Sequence, residues 1–161
     1  RCANRLFPRV LMRVEVRTPH GPLDFYSTHT SRDDCQLRRV AELVGARRGP
    51  LPAIVAGDFN TRESADAYAG LLQAGFVDAF RAVNPSATGL TSRQDVYAAR
   101  PTVARRIDFV FVMAGGNGVP RVLESRVVLD TPRQRPDGTA LWPSDHYGVL
   151  AVIEIPTNGA D

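Results

Sequence analysis

Six side chains of acid–base or metal-binding type stand where apolar runs of this sequence begin or end. His29 closes the run 23–28, and Asp58 and Asn60 sit in Gly57-Asp58-Phe59-Asn60, directly after the short apolar run 52–56. Asp145 and His146 precede the final apolar run, 147–155. Asp108 lies inside the run formed by Ile107, Phe109, Val110, Phe111 and Val112, where an unpaired carboxylate is costly to bury, so it needs a partner. Strand ends gathered on one sheet edge are where sites form. Carboxylates and a carboxamide are hard oxygen donors that suit Mg²⁺ first, and Mn²⁺ or Ca²⁺ after it, rather than zinc. Imidazoles titrate near neutrality and move protons. The set therefore has the parts for holding a hard divalent cation and activating water.

Each residue also has a structural explanation that suffices when it is taken alone. His29 can be a satisfied histidine at a strand end. Asp58 and Asn60 can be turn formers, and Asp145 can cap a turn. Asp108 can be held by Arg105 or Arg106 as an ion pair. It is the combination, in this order, that argues for chemistry.

The elements that must position these groups are legible as periodicities. Residues 10–16 alternate, with Val10, Met12, Val14 and Val16 on one face and Arg13 and Glu15 on the other, which predicts a half-buried strand. A turn over 18–22 leads to a second strand, 23–28. Asp33 and Asp34 open a helix whose Leu37, Val40, Ala41 and Val44 share a face, ending at Gly45 or Gly49. Residues 52–56 read as a strand buried on both faces, and 64–73 as a helix closed by Gly75. The polar stretch 84–101 is a long loop of the kind that borders functional sites. Strands follow at 107–113, 119–129 and 147–155, with a Pro- and Arg-rich loop over 131–143. Strands outnumbering helices predict an α/β or α+β sheet protein with helices packed outside.

The 161 residues fit one domain. No apolar run is long enough to span a bilayer as a helix, and no signal-peptide pattern is visible, so the compartment stays open. All 20 basic residues are arginine, which excludes any lysine nucleophile or P-loop lysine. The net charge of +3 is a modest excess and carries little weight. Cys2 and Cys35 form no zinc motif, and one disulfide between them is compatible with the sequence.

Four motifs in order resemble the later part of the endonuclease/exonuclease/phosphatase family: Ser27-Thr28-His29; Gly57-Asp58-Phe59-Asn60; Arg106-Ile107-Asp108-Phe109-Val110; and Ser144-Asp145-His146-Tyr147-Gly148-Val149. The resemblance covers nearly the whole chain. It implies a deoxyribonuclease-like four-layer α/β/β/α sandwich, with this chain as its C-terminal half. It implies divalent-metal-dependent hydrolysis of a phosphoester, which needs an activated water, stabilised phosphoryl oxygens and charge relief on the leaving oxygen. His146 would act with Asp108 as its orienting carboxylate, Asp58 would orient or deprotonate water, Asn60 would donate to phosphoryl oxygens, and His29 would assist the phosphate or the leaving group. Asp145, Asp58 and Asn60 would serve the metal.

The family's N-terminal portion, with an asparagine and a metal-binding glutamate, has no counterpart here. Glu15 falls on the polar face of its strand, and Glu42, Glu63, Glu124 and Glu154 lie outside the motifs. The expectation is therefore an enzyme completed by an N-terminal half or a second copy. The alternative is a catalytically incomplete fragment or a module that binds a polyanion or a partner. A basic nucleic-acid-binding domain is the third reading, but no Arg-dense recognition helix or stacking-aromatic pattern supports it. The turn Thr61-Arg62-Glu63 lacks the aromatic-Arg ending of inositol-polyphosphate phosphatases. A nucleic acid, a phospholipid head group and a small phosphodiester remain as substrates.

Overall fold

A computed structural model describes residue 2 and residues 8–156. Its main sheet has five strands: β1 (Leu11–Thr18), β2 (Gly21–His29), β3 (Ala53–Asp58), β4 (Phe76–Asp78) and β5 (Asp108–Met113), in the order β1-β2-β3-β5-β4. β1 and β2 form a hairpin, β2 and β3 run parallel, and β5 lies antiparallel to both β3 and β4. The β2–β3 crossover is helix α1 (Asp34–Gly45), as a parallel pair requires. Helix α2 (Asp66–Gln73) and the short α3 (Ala79–Val83) flank β4. A separate pair, β6 (Arg121–Val128) with β9 (Gly148–Glu154), lies beside α3 and β5, and β7 (Arg133–Gln134) pairs with β8 (Ala140–Leu141).

Alternation decides what each face of the main sheet carries. Tyr26, Val55, Phe109, Phe111 and Met113 point to the side of α1 and α2, where Leu37, Val40, Val44, Tyr68 and Leu71 complete the core. Phe59 is fully buried there, edge-on to Phe109 and Phe111 with centroids 5.8 and 5.1 Å away. The registers Asp58↔His29 and Asp58↔Asp108 set the polar strand ends side by side. Asp33 caps α1 by accepting from the Cys35 backbone N–H, and a disulfide ties Cys35 to Cys2.

Two expectations are corrected, and one stretch left unassigned gains structure. The apolar side of β1 is not buried, because among the described residues nothing packs on that face of the strand: Met12, Val14 and Val16 are 53, 44 and 41% exposed, while Leu11, on the other face, packs on the core. The segment 131–143 is not wholly loop, since it folds back through a Gly138 turn into the β7–β8 hairpin. The three-residue β4 and five-residue α3 are too short to show a period, and their segment had no assigned element.

Candidate active site

The Gly57–Asn60 turn is built so that consecutive side chains part company. Phe59 enters the core, while Asp58 and Asn60 turn to the opposite, open side. Gly57 is required, because a Cβ there would lie 1.9 Å from the Thr28 carbonyl oxygen. Asn60 adopts left-handed backbone (φ 49°), which asparagine tolerates. Asp58 holds the turn with its own carboxylate, accepting from the Asn60 N–H at 2.7 Å and from the Asn60 amide at 3.2 Å. That amide also donates to the Thr30 carbonyl at 2.9 Å, tying the turn to the end of β2. His29 Nε2 lies 3.3 Å from Asp58 Oδ2 and 3.1 Å from Asn60 Nδ2. A proton on Nε2 is donated to Asp58; without it, Nε2 accepts from Asn60.

The second half of the site is an imidazole clamped by a carboxylate. Asp108 Oδ1 and Oδ2 lie 3.1 and 3.0 Å from His146 Nδ1, and Thr91 Oγ1 donates to Oδ2 at 2.6 Å. Burial pushes the Asp108 carboxyl above its ordinary range; the Thr91 and His146 hydrogen bonds and the charge of His146 oppose this, and Asp58 adds to it. With Nδ1–H given to Asp108, Nε2 is the ring atom left for chemistry. Ser92 Oγ lies 3.1 Å from it. Asp58, Asp108 and His146 each offer an atom within 4.8 Å of the others.

The structure thus gathers His29, Asp58, Asn60, Asp108 and His146. The side chain of Asp145 stands apart from the Asp58, Asp108 and His146 group: it is exposed, its carboxylate takes a 3.3 Å hydrogen bond from Ser144, and its main-chain oxygen accepts from Gln94 N–H. Asp108 is partnered by His146, not by an arginine. Arg106 turns the other way, pairing with Asp78 and Glu63 between the rings of Phe80 and Phe109. Thr91 and Ser92, in the polar loop 84–101, escaped the sequence reading. The one signal for them was that Asp108 had to find donors.

The family model of the endonuclease/exonuclease/phosphatase family matches residues 4–146. No curated protein matches the chain. Among solved structures it is similar to TDP2 of D. rerio complexed with a single-strand DNA product, at 19% identity and TM-score 0.74, covering 95% of this chain and 65% of that one. It is similar to a mannosyl-6-phosphatase of Bacteroides thetaiotaomicron, at 24% identity and TM-score 0.61, covering 82% and 51%. It is also similar to the 3′ phosphatase NExo from Neisseria bound to a product DNA hairpin, at 17% identity and TM-score 0.62, covering 88% and 64%. The chain spans between half and two thirds of the length of these proteins. With a family match over most of its length and the motif residues gathered at one sheet edge, the chain belongs to the endonuclease/exonuclease/phosphatase family.

Proposed function

We propose that this chain carries the catalytic edge of a divalent-cation-dependent phosphoester hydrolase, acting on a phosphodiester or a phosphomonoester. The observation that supports it most is the approach of Asp58, Asp108 and His146 within 4.8 Å, from three separate segments of the chain. The chemistries of its family neighbours, which include a phosphatase and proteins bound to DNA products, agree with that reaction class.

The donor set fits a hard cation: Asp58 supplies carboxylate oxygen and Asn60, two residues on, a side-chain oxygen, whereas the exposed Asp145 carboxylate would have to turn inward to join them. Asp108 is already committed to His146 and Thr91. Mg²⁺ is the first choice, and a bound ion would polarise the phosphoryl group and lower the pKa of water. The chain's own residues do the rest. Asp58 orients the attacking water and accepts its proton. Asn60 donates to a phosphoryl oxygen, and His146 Nε2, backed by Asp108, donates to a phosphoryl or leaving oxygen when protonated. His29 trades a proton with Asp58 at the rim of the turn.

The test is release of p-nitrophenolate from bis(p-nitrophenyl) phosphate and from p-nitrophenyl phosphate, with Mg²⁺, with Mn²⁺ and with EDTA. Activity should need the cation and fall by about 10²-fold or more in Asp58→Ala and in His146→Ala. Hydrolysis that persists in EDTA, or that survives Asp58→Ala, overturns the assignment. The bare face of β1 favours a second reading, in which the same edge turns over only once another segment or a second copy covers that face. In that case the chain alone shows no cation-dependent rate.

A further inference from the structure

We propose, building on the hydrolase reading, that Arg32, Arg62, Arg93 and Arg105 form a phosphate-binding rim that selects a nucleic acid strand as substrate, by holding backbone phosphates on either side of the one at the catalytic edge.

The chain delivers each of these arginines from a segment that also supplies the site. Arg32 is three residues beyond His29, and Arg62 two beyond Asn60. Arg93 follows Ser92, whose Oγ is 3.1 Å from His146 Nε2. Arg105 is bridged to Ser92, and its carbonyl accepts from the Thr91 and Ser92 N–H groups at 2.7 and 3.0 Å. Arg32, Arg62 and Arg93 are exposed. Arg93, Arg32 and Arg62 lie near enough for their charges to act on Arg105: partial desolvation first, and then these three charges, hold its guanidinium below the ordinary arginine value.

Like charges gathered without counter-ions are unfavourable until an anion arrives. Among the described residues none of these four forms an ion pair, as is true of eight other arginines; what sets the four apart is their place beside the site. The planar guanidinium matches a phosphate with paired hydrogen bonds.

Four such groups exceed what one phosphoryl group needs. A polynucleotide brings a phosphate at every residue, so it can satisfy the rim and the catalytic edge together. An anionic membrane fits less well. The residues flanking the arginines, among them Ser31, Thr61, Ser92, Gln94 and Ala104, provide no large apolar side chain to enter lipid.

The experiment is fluorescence anisotropy of a labelled single-stranded oligothymidylate, about twelve nucleotides long, titrated with the chain in EDTA at several salt concentrations. Four phosphate contacts give log Kd a salt slope near 3, at roughly 0.7 per contact for single strands. Arg62→Ala and Arg93→Ala should each reduce it by about 0.7, and the double variant by about twice that. Arg105→Ala should behave likewise. Arg121→Ala, which removes a guanidinium paired with Glu154, should leave binding unchanged. A slope near zero, an undiminished slope in the double variant, or an equal loss in Arg121→Ala overturns the rim, as does preference for phosphatidylinositol bisphosphate vesicles over the oligonucleotide. Parallel hydrolysis of bis(p-nitrophenyl) phosphate separates the two proposals. Intact hydrolysis without oligonucleotide binding overturns the rim alone. Arginine-dependent binding without cation-dependent hydrolysis upholds the rim as a strand-binding surface and overturns hydrolysis by the chain alone.

Discussion

Replacing Arg106 tests how the segment after the Gly57–Asn60 turn is held, through Glu63. Its side chain is 3% exposed, and its guanidinium pairs with Asp78, itself 2% exposed, and with Glu63. It lies 4.8 and 4.6 Å from the ring centroids of Phe80 and Phe109. Arg106→Met keeps most of the volume but strands a buried carboxylate. Removing one member of a buried pair costs roughly 3–5 kcal/mol. Asp78 retains the Tyr68 hydroxyl at 2.9 Å and the Arg81 N–H at 3.1 Å, and Glu63 retains Arg81, so the loss should lie near about 3 kcal/mol. At roughly 2–4 °C per kcal/mol for a chain of this size, Tm should fall by about 6–12 °C. Asp78→Asn in the Arg106→Met background should recover about 1–2 kcal/mol, since the stranded charge is then gone. Circular-dichroism melts and urea curves of the four proteins close the cycle. A loss under about 1 kcal/mol, or strictly additive substitutions, would refute the idea that this buried charge network is coupled.

Gly57→Ala should destabilise by at least about 3 kcal/mol, read from urea midpoints, because its Cβ would drive into the Thr28 carbonyl between paired strands; a near-neutral result would contradict the close approach. Asp108 carries a raised pKa, so the native state binds its proton more tightly than the unfolded chain, and its stabilising contribution is lost as pH rises from about 4 through the raised value. Urea midpoints across that range should therefore fall faster with pH in the native sequence than in Asp108→Asn, and parallel curves would dismiss the shift. Reducing the Cys2–Cys35 bond, which closes a separation of 33 residues, should cost about 3–4 kcal/mol in the chain-entropy model; an unchanged melt in dithiothreitol would show the bond to be dispensable.

The sequence carried most of this site because its residues sit at strand ends, where period-2 alternation and an interrupting glycine announce both the strand and its stop. Asp58 and Asn60 were legible as a pair since Phe59 between them is apolar, and that alternation is what sends them to the open side. Asp108 was conspicuous as a carboxylate in an apolar run. Its supports were not legible: Thr91 and Ser92 reach Asp108 and His146 through a loop with no period, and nothing local distinguishes them from other loop hydroxyls. The ion pairs of Arg106 were hidden for a related reason, since Glu63 and Asp78 are 43 and 28 residues away and only the fold brings them together. The alternation of residues 10–16 misled in the opposite direction. It identified a strand but not what lies against it, because period alone does not tell a covered face from a bare one.

That bare face sets the last expectation. Val14 and Val16 stand opposite Phe25 and Leu23 in register, and with Met12 they form one apolar side of an edge strand eight residues long. The three lie together on one face rather than singly, and among the described residues no strand pairs with the outer edge of β1. Arg13 is drawn to Asp24 and Glu15 on the opposite face, so it does not shield the apolar one. The chain on its own should therefore bind a hydrophobic dye and associate as its concentration rises. Val14→Lys with Val16→Lys should suppress both while leaving the helix-covered core intact, as judged by an unchanged near-ultraviolet spectrum. Sedimentation velocity of the two proteins decides it: a native-sequence chain that remains monomeric and dye-free at every concentration would mean that the face is tolerated by water as it stands.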